Sequence, residues 1–222
     1  MRLFDEIFAI AAKRKGGPQA LGALLQPPVN TDELRAIKDD RWLSGLSKAV
    51  FQAGFNWKVV DKMWPGFEAA FHGFDPGRCA MLTDEDIASL VSDRTIVRHG
   101  AKIRSVQENA VLLIDLAREH GSASEAIANW PSDDFVGLLT LLKKRGSRLG
   151  GTTAQYALRS MGRDGFILSR DVIARLMAEG VIDKAPTSQK AMRAVQAAFN
   201  EWQKQSGRSL KDISRVLAMS TG

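Results

Sequence analysis

The sequence predicts an all-α fold, and three observations support this prediction. Apolar residues recur at helical spacing through most of the 222-residue chain. No segment shows sustained alternation of apolar and polar residues with enrichment in β-branched side chains, the pattern typical of strands. Short turns of Gly, Pro, Asp and Ser separate the segments. The length suits one compact domain or two small lobes that share a cleft.

Each helix is predicted from its apolar face and its end signals. The first, over 3–14, ends before Gly16-Gly17-Pro18, and a linker at 26–31 precedes a capped helix that starts at Thr31. Gly54 ends a helix over 41–53, and the next carries Trp57 up to Pro65. Further helices are predicted at about 67–72, 83–92, 100–119, 122–129, 132–144, 151–161, 169–179, 187–206 and 209–219.

The bulk composition narrows the class of function. The net charge of +6 and the pI of about 9.6 fit a polyanionic partner, although many proteins without one are equally basic. One cysteine, Cys79, and three scattered histidines do not provide the ligand spacing of a structural zinc site, so we expect no metal and no cofactor. The sequence contains no apolar run long enough to span a membrane and no secretory signal, so we expect a cytoplasmic protein.

The segment LKKRGSRLGGTTAQYALRSMG, residues 142–162, predicts a helix, a tight glycine turn and a second helix. The N–H groups at the start of the second helix would bind a phosphate oxygen, and the surrounding basic residues would clamp the backbone of DNA. An ordinary corner between helices with a solvated basic face is an equal alternative. The candidate DNA-binding residues are Lys144, Arg145, Gly146, Arg148, Gly150, Gly151, Thr152 and Thr153.

A second segment, AVFQAGFNWKVV at 49–60, has the chemistry of a base pocket. A base flipped out of the duplex needs an aromatic face to stack on and amide groups for its edge. Gln52, Asn56 and Trp57 are therefore candidate base-binding residues. The alternative is that Trp57 is a core residue, which is the commoner fate of a tryptophan.

A third segment carries basic residues near the start of the helix predicted at 100–119. These residues would contact a second stretch of phosphate, or they would form a solvated helix face, which is the more frequent outcome for such a charge run. They are Arg94, Arg98, His99, Lys102 and Arg104.

Three ordered blocks of sequence resemble the 3-methyladenine DNA glycosylase I family. They are QAGFNW at 52–57, FHGFDP at 71–76 with IVRHGAKI at 96–103 and Asn109-Ala110, and LKKRG…GTT at 142–153. The resemblance covers about residues 42–162. It implies a two-lobed helix-hairpin-helix glycosylase fold over 1–222, with the hairpin near 142–162 and divergent helices at 163–222. It also implies hydrolysis of the N-glycosidic bond of an alkylated purine in double-stranded DNA, without a lyase step.

The chain departs from this family at three places. The family's base-recognition carboxylate, three residues before the QAG motif, corresponds here to Ala49. The family's zinc-binding cysteines and histidines are not present in this sequence. The segment from 163 onwards is longer than in the family.

Related helix-hairpin-helix glycosylases place a catalytic aspartate at a helix start shortly after the hairpin. Asp171, roughly 20 residues after the hairpin, is the candidate here, and a helix-capping acid is the alternative. Trp202 is expected to be a packing residue.

Three hypotheses follow from the sequence. The first is an active alkylpurine glycosylase that works as a monomer on damaged double-stranded DNA. The second is a DNA-binding relative that has lost excision or accepts another lesion, because Ala49 replaces the carboxylate. The third is a helical protein-interaction module that uses the same fold.

Overall fold

The computed structural model describes residues 1–221 and divides them into two compact units. The terminal unit comprises residues 1–29, 131–137 and 164–221, and the central unit comprises residues 30–130 and 138–163. All regular elements among the described residues are helical, which confirms the predicted all-α class. No helix among them is long and apolar enough to cross a bilayer.

The central unit holds the helices that carry both candidate site segments. Its helices are α3 (Thr31–Arg35), α4 (Asp39–Gln52), α5 (Trp57–Ala70), α6 (Pro76–Ala80), α7 (Asp84–Ser92), α8 (Gly100–His120), α9 (Ala123–Ala128), the larger part of α10 (Phe135–Arg145) and α11 (Thr153–Ser160).

The long helix α8 packs against α4, α6, α7 and α9, and α11 packs against α4. Gly45 on α4 faces the side chain of Met161, so a Cβ atom at this position would displace the methionine. This close approach brings α11, which follows the glycine turn, against the helix that ends at the QAGFNW segment.

The terminal unit contains the helices at both ends of the described chain. They are α1 (Phe4–Lys15), α2 (Pro18–Ala23), α12 (Arg170–Ala178), α13 (Gln189–Ser206) and α14 (Leu210–Met219), with the first residues of α10. Phe166 stacks on Phe199 with ring centroids 4.3 Å apart, and Phe199 meets Trp202 edge to face. Trp202 is fully buried and its indole N–H donates to the carbonyl of Arg2, so it is a packing residue as predicted.

The prediction that a helix ends at Pro65 is wrong, because α5 continues through Pro65 to Ala70. A proline inside a helix removes one backbone hydrogen bond. Here, packing outweighs that loss: Trp64 stacks on Phe67 at 4.8 Å and on Phe74 at 5.4 Å. Buried aromatic pairs of this kind contribute about 0.5–1.5 kcal/mol beyond their area. The segment predicted as a separate helix at 67–72 is therefore the second half of α5.

Cys79 is a packing residue of the central unit. Its side chain is buried and its thiol donates to the carbonyl of Phe71. Burial raises the pKa of the Cys79 thiol to about 12, so the thiolate is not populated near neutral pH. This thiol is accordingly not a candidate nucleophile.

Candidate nucleic-acid interface and base pocket

We call the turn between α10 and α11, residues 145–153, the hairpin corner. Asn109 hydrogen-bonds to this corner from its buried side. The side chain of Asn109 is fully buried on α8. Its Oδ1 accepts from the Ser147 N–H at 2.8 Å and its Nδ2 donates to the Ser147 carbonyl at 3.1 Å. Gly146 packs tightly beside it, since a Cβ atom there would lie 2.7 Å from the Leu142 carbonyl oxygen. The buried side of the corner is therefore rigidly supported.

The other side of the corner faces solvent. Gly151 adopts φ +57°, a conformation that glycine takes without strain, and its missing side chain leaves open space. Arg148 is an exposed non-glycine residue with φ +60°. Thr152 precedes α11 without a side-chain cap, and Thr153 is half-buried. This open face has the shape that a phosphate contact at a helix start needs.

The cations near the corner differ in their surroundings. Arg145 forms a two-pronged ion pair with Glu119, with both N–O distances at 2.7 Å. This pair raises the pKa of Arg145 and lowers the pKa of Glu119. The positive charge of Arg145 is thus largely balanced within the protein, whereas Lys144 and Arg148 are exposed cations at the same corner.

Trp57 stands at the first position of α5 and is 49% exposed, so the alternative of a core tryptophan does not apply. Its indole meets the ring of Tyr156 edge to face, with centroids 5.3 Å apart and planes at 89°. Tyr156 lies in the first turn of α11 and is itself 37% exposed. The aromatic pair therefore links the QAGFNW segment to the helix that follows the hairpin corner.

Gln52 and Asn56 already have partners in this structure. The Gln52 amide donates to Asp61 at 3.1 Å, and Lys48 pairs with the same carboxylate at 2.8 Å. Asn56 caps α5, because its side-chain oxygen accepts from the Lys58 N–H at 3.0 Å. The bond to Asp61 uses one N–H group of the Gln52 amide, which also has a second N–H group and a carbonyl oxygen.

A pocket of about 350 Å³ lies between the end of α4, the start of α8 and the hairpin corner. The pocket is a depression open to solvent and not an enclosed cavity. Three sequence segments that are distant in the chain thus meet at one surface depression of the central unit. Its lining residues are Val50, Ala53, Lys102, Arg148, Gly150 and Thr153.

The interpretation of Lys102 as a surface phosphate contact or a solvated cation is wrong. Its side chain is only 5% exposed, and its ammonium group donates to the carbonyls of Phe51 and Ala53. Burial, and to a smaller extent the charge of Arg148, lower the pKa of Lys102. Helical periodicity places Lys102 on the buried face of α8 together with Ser105, Val106 and Asn109, a signal that the charge pattern obscured.

The remaining basic residues of the third segment are at or near the surface. Arg104 is exposed and pairs with Asp84 at 2.7 Å, and Arg94 and Arg98 are exposed, while His99 is half-buried at the start of α8. Exposed ion pairs of this kind contribute little to stability. The first turn of α8 thus combines a solvated charged face with one buried cation.

Ala49 is a buried residue of α4, 8% exposed, one turn before the pocket-lining Ala53.

Asp171 belongs to the terminal unit, where it is an exposed residue in the first turn of α12. Ser169 caps that helix, since its hydroxyl accepts from the Val172 N–H at 3.3 Å. Asp171 is therefore not the cap, and its carboxylate is solvent-accessible.

The family's zinc does not fit this chain. Within residues 1–221, no three His, Cys, Asp or Glu side chains come close enough to form a metal site.

Comparison with known proteins agrees with the sequence blocks. A family model described as methyladenine glycosylase matches residues 35–136. The DNA-3-methyladenine glycosylase of Haemophilus influenzae is 30% identical over 130 residues, which are 50% of this chain and 70% of that protein. The chain belongs to the methyladenine glycosylase family. DNA-3-methyladenine glycosylase 1 of Escherichia coli K12 is 30% identical over 126 residues, and the chain spans 66% of its length.

Solved structures support the fold of this family member. A Staphylococcus aureus 3-methyladenine DNA glycosylase I, solved to explain 3-methyladenine recognition, is 24% identical with a TM-score of 0.51. It matches 62% of this chain and 79% of its own. An 8-oxoguanine glycosylase/lyase of Methanocaldococcus jannaschii, solved with DNA, matches 96% of this chain and 95% of its own. It is 12% identical with a TM-score of 0.51, so the helical glycosylase fold extends beyond the matched family region.

Proposed function

We propose that this protein is a monofunctional DNA glycosylase of base excision repair. It flips a damaged base out of double-stranded DNA and hydrolyses the N-glycosidic bond of an alkylated purine such as 3-methyladenine. The observation that supports this most strongly is the meeting of the hairpin corner, the pocket and the Trp57–Tyr156 pair within the central unit of a methyladenine glycosylase family member. The two compact units are proposed to be the two lobes of a single domain.

In this proposal the hairpin corner holds the DNA backbone. Backbone N–H groups at the start of α11 donate to a phosphate, and the exposed side chains of Lys144 and Arg148 add positive charge. Such contacts fix the position of the duplex without selecting its sequence. Gly151, whose missing side chain leaves open space, keeps the approach to the backbone unobstructed beside Thr152 and Thr153.

The everted base is proposed to stack on Trp57. An N3-alkylated adenine is cationic, so an indole face contributes about 0.5–2 kcal/mol of cation–π attraction as well as apolar contact. Because such a base is already a good leaving group, preferential binding during bond cleavage matters more than a strong general acid. Gln52 is proposed to turn from Asp61 to the base edge, while Asn56 fixes the start of α5.

The sugar part of the reaction is assigned to Asp171. Its carboxylate would stabilise the positive charge that develops on the sugar as the bond breaks, or orient the attacking water. All proposed residues come from one chain, so we propose that the protein acts as a monomer. The Escherichia coli and Haemophilus influenzae relatives are bacterial proteins, and bacterial chromosomal DNA lies in the cytoplasm. We therefore propose that this protein acts in the cytoplasm.

A second candidate function is favoured by Ala49. A small apolar side chain at this position cannot hydrogen-bond a base, so the family's carboxylate contact is missing. On this hypothesis the protein binds DNA through the hairpin corner but has lost excision, or it excises a different lesion.

Release of free base from methylated duplex DNA separates the two candidates. With the active glycosylase, we expect base release well above that of a heat-treated protein control, at a rate that saturates with protein concentration. Binding to the same DNA should be measured in parallel. Binding that stays intact without release above the control would contradict the proposed activity and support the second candidate.

A further inference from the structure

The ammonium group of Lys102 holds the end of helix α4. Its Nζ lies 2.6 Å from the Ala53 carbonyl oxygen and 3.2 Å from the Phe51 carbonyl oxygen. These carbonyls lie at the helix terminus, where no further helical N–H groups follow to bond them. A cation is also favourable at this end because of the helix dipole. Lys102 thus satisfies two acceptors from a helix packed against its own.

The same ammonium group fixes the turn that follows. It lies 4.4 Å from the ring centroid of Phe55, so it also makes a cation–π contact with the next side chain along the turn. Gly54, between the carbonyl of Ala53 and the ring of Phe55, has φ +77° and permits the sharp change of direction. One buried cation therefore contacts both ends of the segment 51–55, which leads directly into Trp57.

A contribution to the stability of the fold does not by itself account for a buried ammonium group at position 102. Burying a cation costs desolvation free energy, and buried charges are often no more stabilising than apolar residues of similar volume. The lowered pKa of Lys102 reflects that cost. Lys102 also lines the pocket, together with Arg148 and Thr153 of the hairpin corner. The position of Lys102 thus matters for the part of the molecule where the nucleotide is proposed to bind.

We propose that Lys102 is a positioning residue of the glycosylase site: by bonding Phe51 and Ala53 and contacting Phe55, it holds the 51–55 turn, which contributes Ala53 to the pocket wall and leads into Trp57, ready to receive an everted nucleotide. This role rests on the function proposed above. It predicts that substitution of Lys102 lowers the affinity for DNA that contains a disrupted nucleotide more than the affinity for intact DNA.

The test compares two duplexes, one intact and one with a tetrahydrofuran abasic-site analogue, in binding to the wild type and to Lys102→Met. We expect the wild type to prefer the abasic duplex. Lys102→Met should lose about 10-fold or more of that preference, since loss of hydrogen bonds from a charged group typically costs about that much in an equilibrium constant. Its affinity for intact duplex should stay within about twofold of the wild type, because the hairpin corner is unaltered.

Amide hydrogen exchange reports on the turn independently of activity. Exchange across residues 52–57 should become faster in Lys102→Met, while the exchange of α8 stays unchanged. Arg118→Met is the matched control, because it removes an exposed cation of the same helix that lies outside the segments proposed to contact DNA, and it should change neither readout. Lys102→Arg, which retains charge and donors, should keep more of the abasic preference than Lys102→Met.

The outcomes separate this proposal from the proposed function. A wild type that releases no base but prefers the abasic duplex through Lys102 would contradict excision and support the positioning role. Unchanged preference and unchanged exchange in Lys102→Met would overturn the positioning role, as would a wild type without abasic preference. If Lys102→Met does not fold, Lys102→Gln, which removes the charge and shortens the donor, decides: faster exchange at 52–57 supports the role, and wild-type exchange overturns it.

Discussion

Asp171→Asn is expected to abolish base release while DNA binding remains within about twofold of the wild type. The substitution preserves shape but removes the negative charge that is proposed to stabilise the cationic sugar. Loss of one well-placed electrostatic group typically costs about 100- to 1,000-fold in rate, or roughly 3–4 kcal/mol. The measurement is single-turnover release of free base from methylated duplex at saturating protein.

Helix α12 should survive this substitution, because Ser169 and not Asp171 provides its cap. A lost carboxylate in the first turn weakens the favourable dipole interaction by only about 0.3–1 kcal/mol. Asp183→Asn is a suitable control, since Asp183 is another exposed carboxylate of the terminal unit. Wild-type release by Asp171→Asn would remove Asp171 from the mechanism and leave it as a surface residue.

Gly150→Asp is expected to weaken binding to every duplex by about tenfold. The new carboxylate would lie at the hairpin corner, where a phosphate is proposed to bind, and repulsion of about 1–4 kcal/mol is typical for unit charges about 4 Å apart near a protein surface. Because the contact is with the backbone, intact and lesion-containing duplexes should weaken alike. Fluorescence anisotropy with both duplexes at low salt measures this effect.

Gly150→Ala is the matched control for this prediction. A Cβ atom at Gly150 would lie 3.7 Å from Cγ of Lys143, an ordinary contact, so the alanine variant should fold and bind as the wild type does. Gly151 would be a poor choice for the same experiment, because its φ of +57° makes any substitution strained. Equal affinity of the aspartate variant and the wild type would exclude the hairpin corner as the DNA contact.

Sequence patterns anticipated the elements whose signal is local. The glycine turn at 146–151 is recognisable because its residues specify the backbone conformation, and helical periodicity located most of the helices. Pro65 predicts a helix end, but Trp64 also stacks on Phe74, which lies beyond the end of α5, and this contact between elements accompanies a helix that continues through the proline. Local signals could not show that packing would outweigh the lost hydrogen bond.

The candidate site shows the same division between local and tertiary information. Trp57 was identified from its own segment, whereas its partner Tyr156 comes from a helix about 100 residues away and was missed. Its place one turn after Thr152 was the signal that could have found it. For Lys102, helical spacing indicates the buried face of α8, but only the packing of α8 on α4 shows which carbonyls its ammonium group bonds.

The central claim is that this family member binds the phosphate backbone of DNA. A titration with duplex DNA at several salt concentrations tests it most directly. If the hairpin corner and its cations neutralise roughly four phosphates, affinity should fall about 100-fold between about 50 and 200 mM salt. A linear decrease of log affinity with log salt is the result that the account predicts. Affinity that does not change with salt, or no measurable binding at low salt, would contradict both DNA-dependent functions and favour a protein-interaction module.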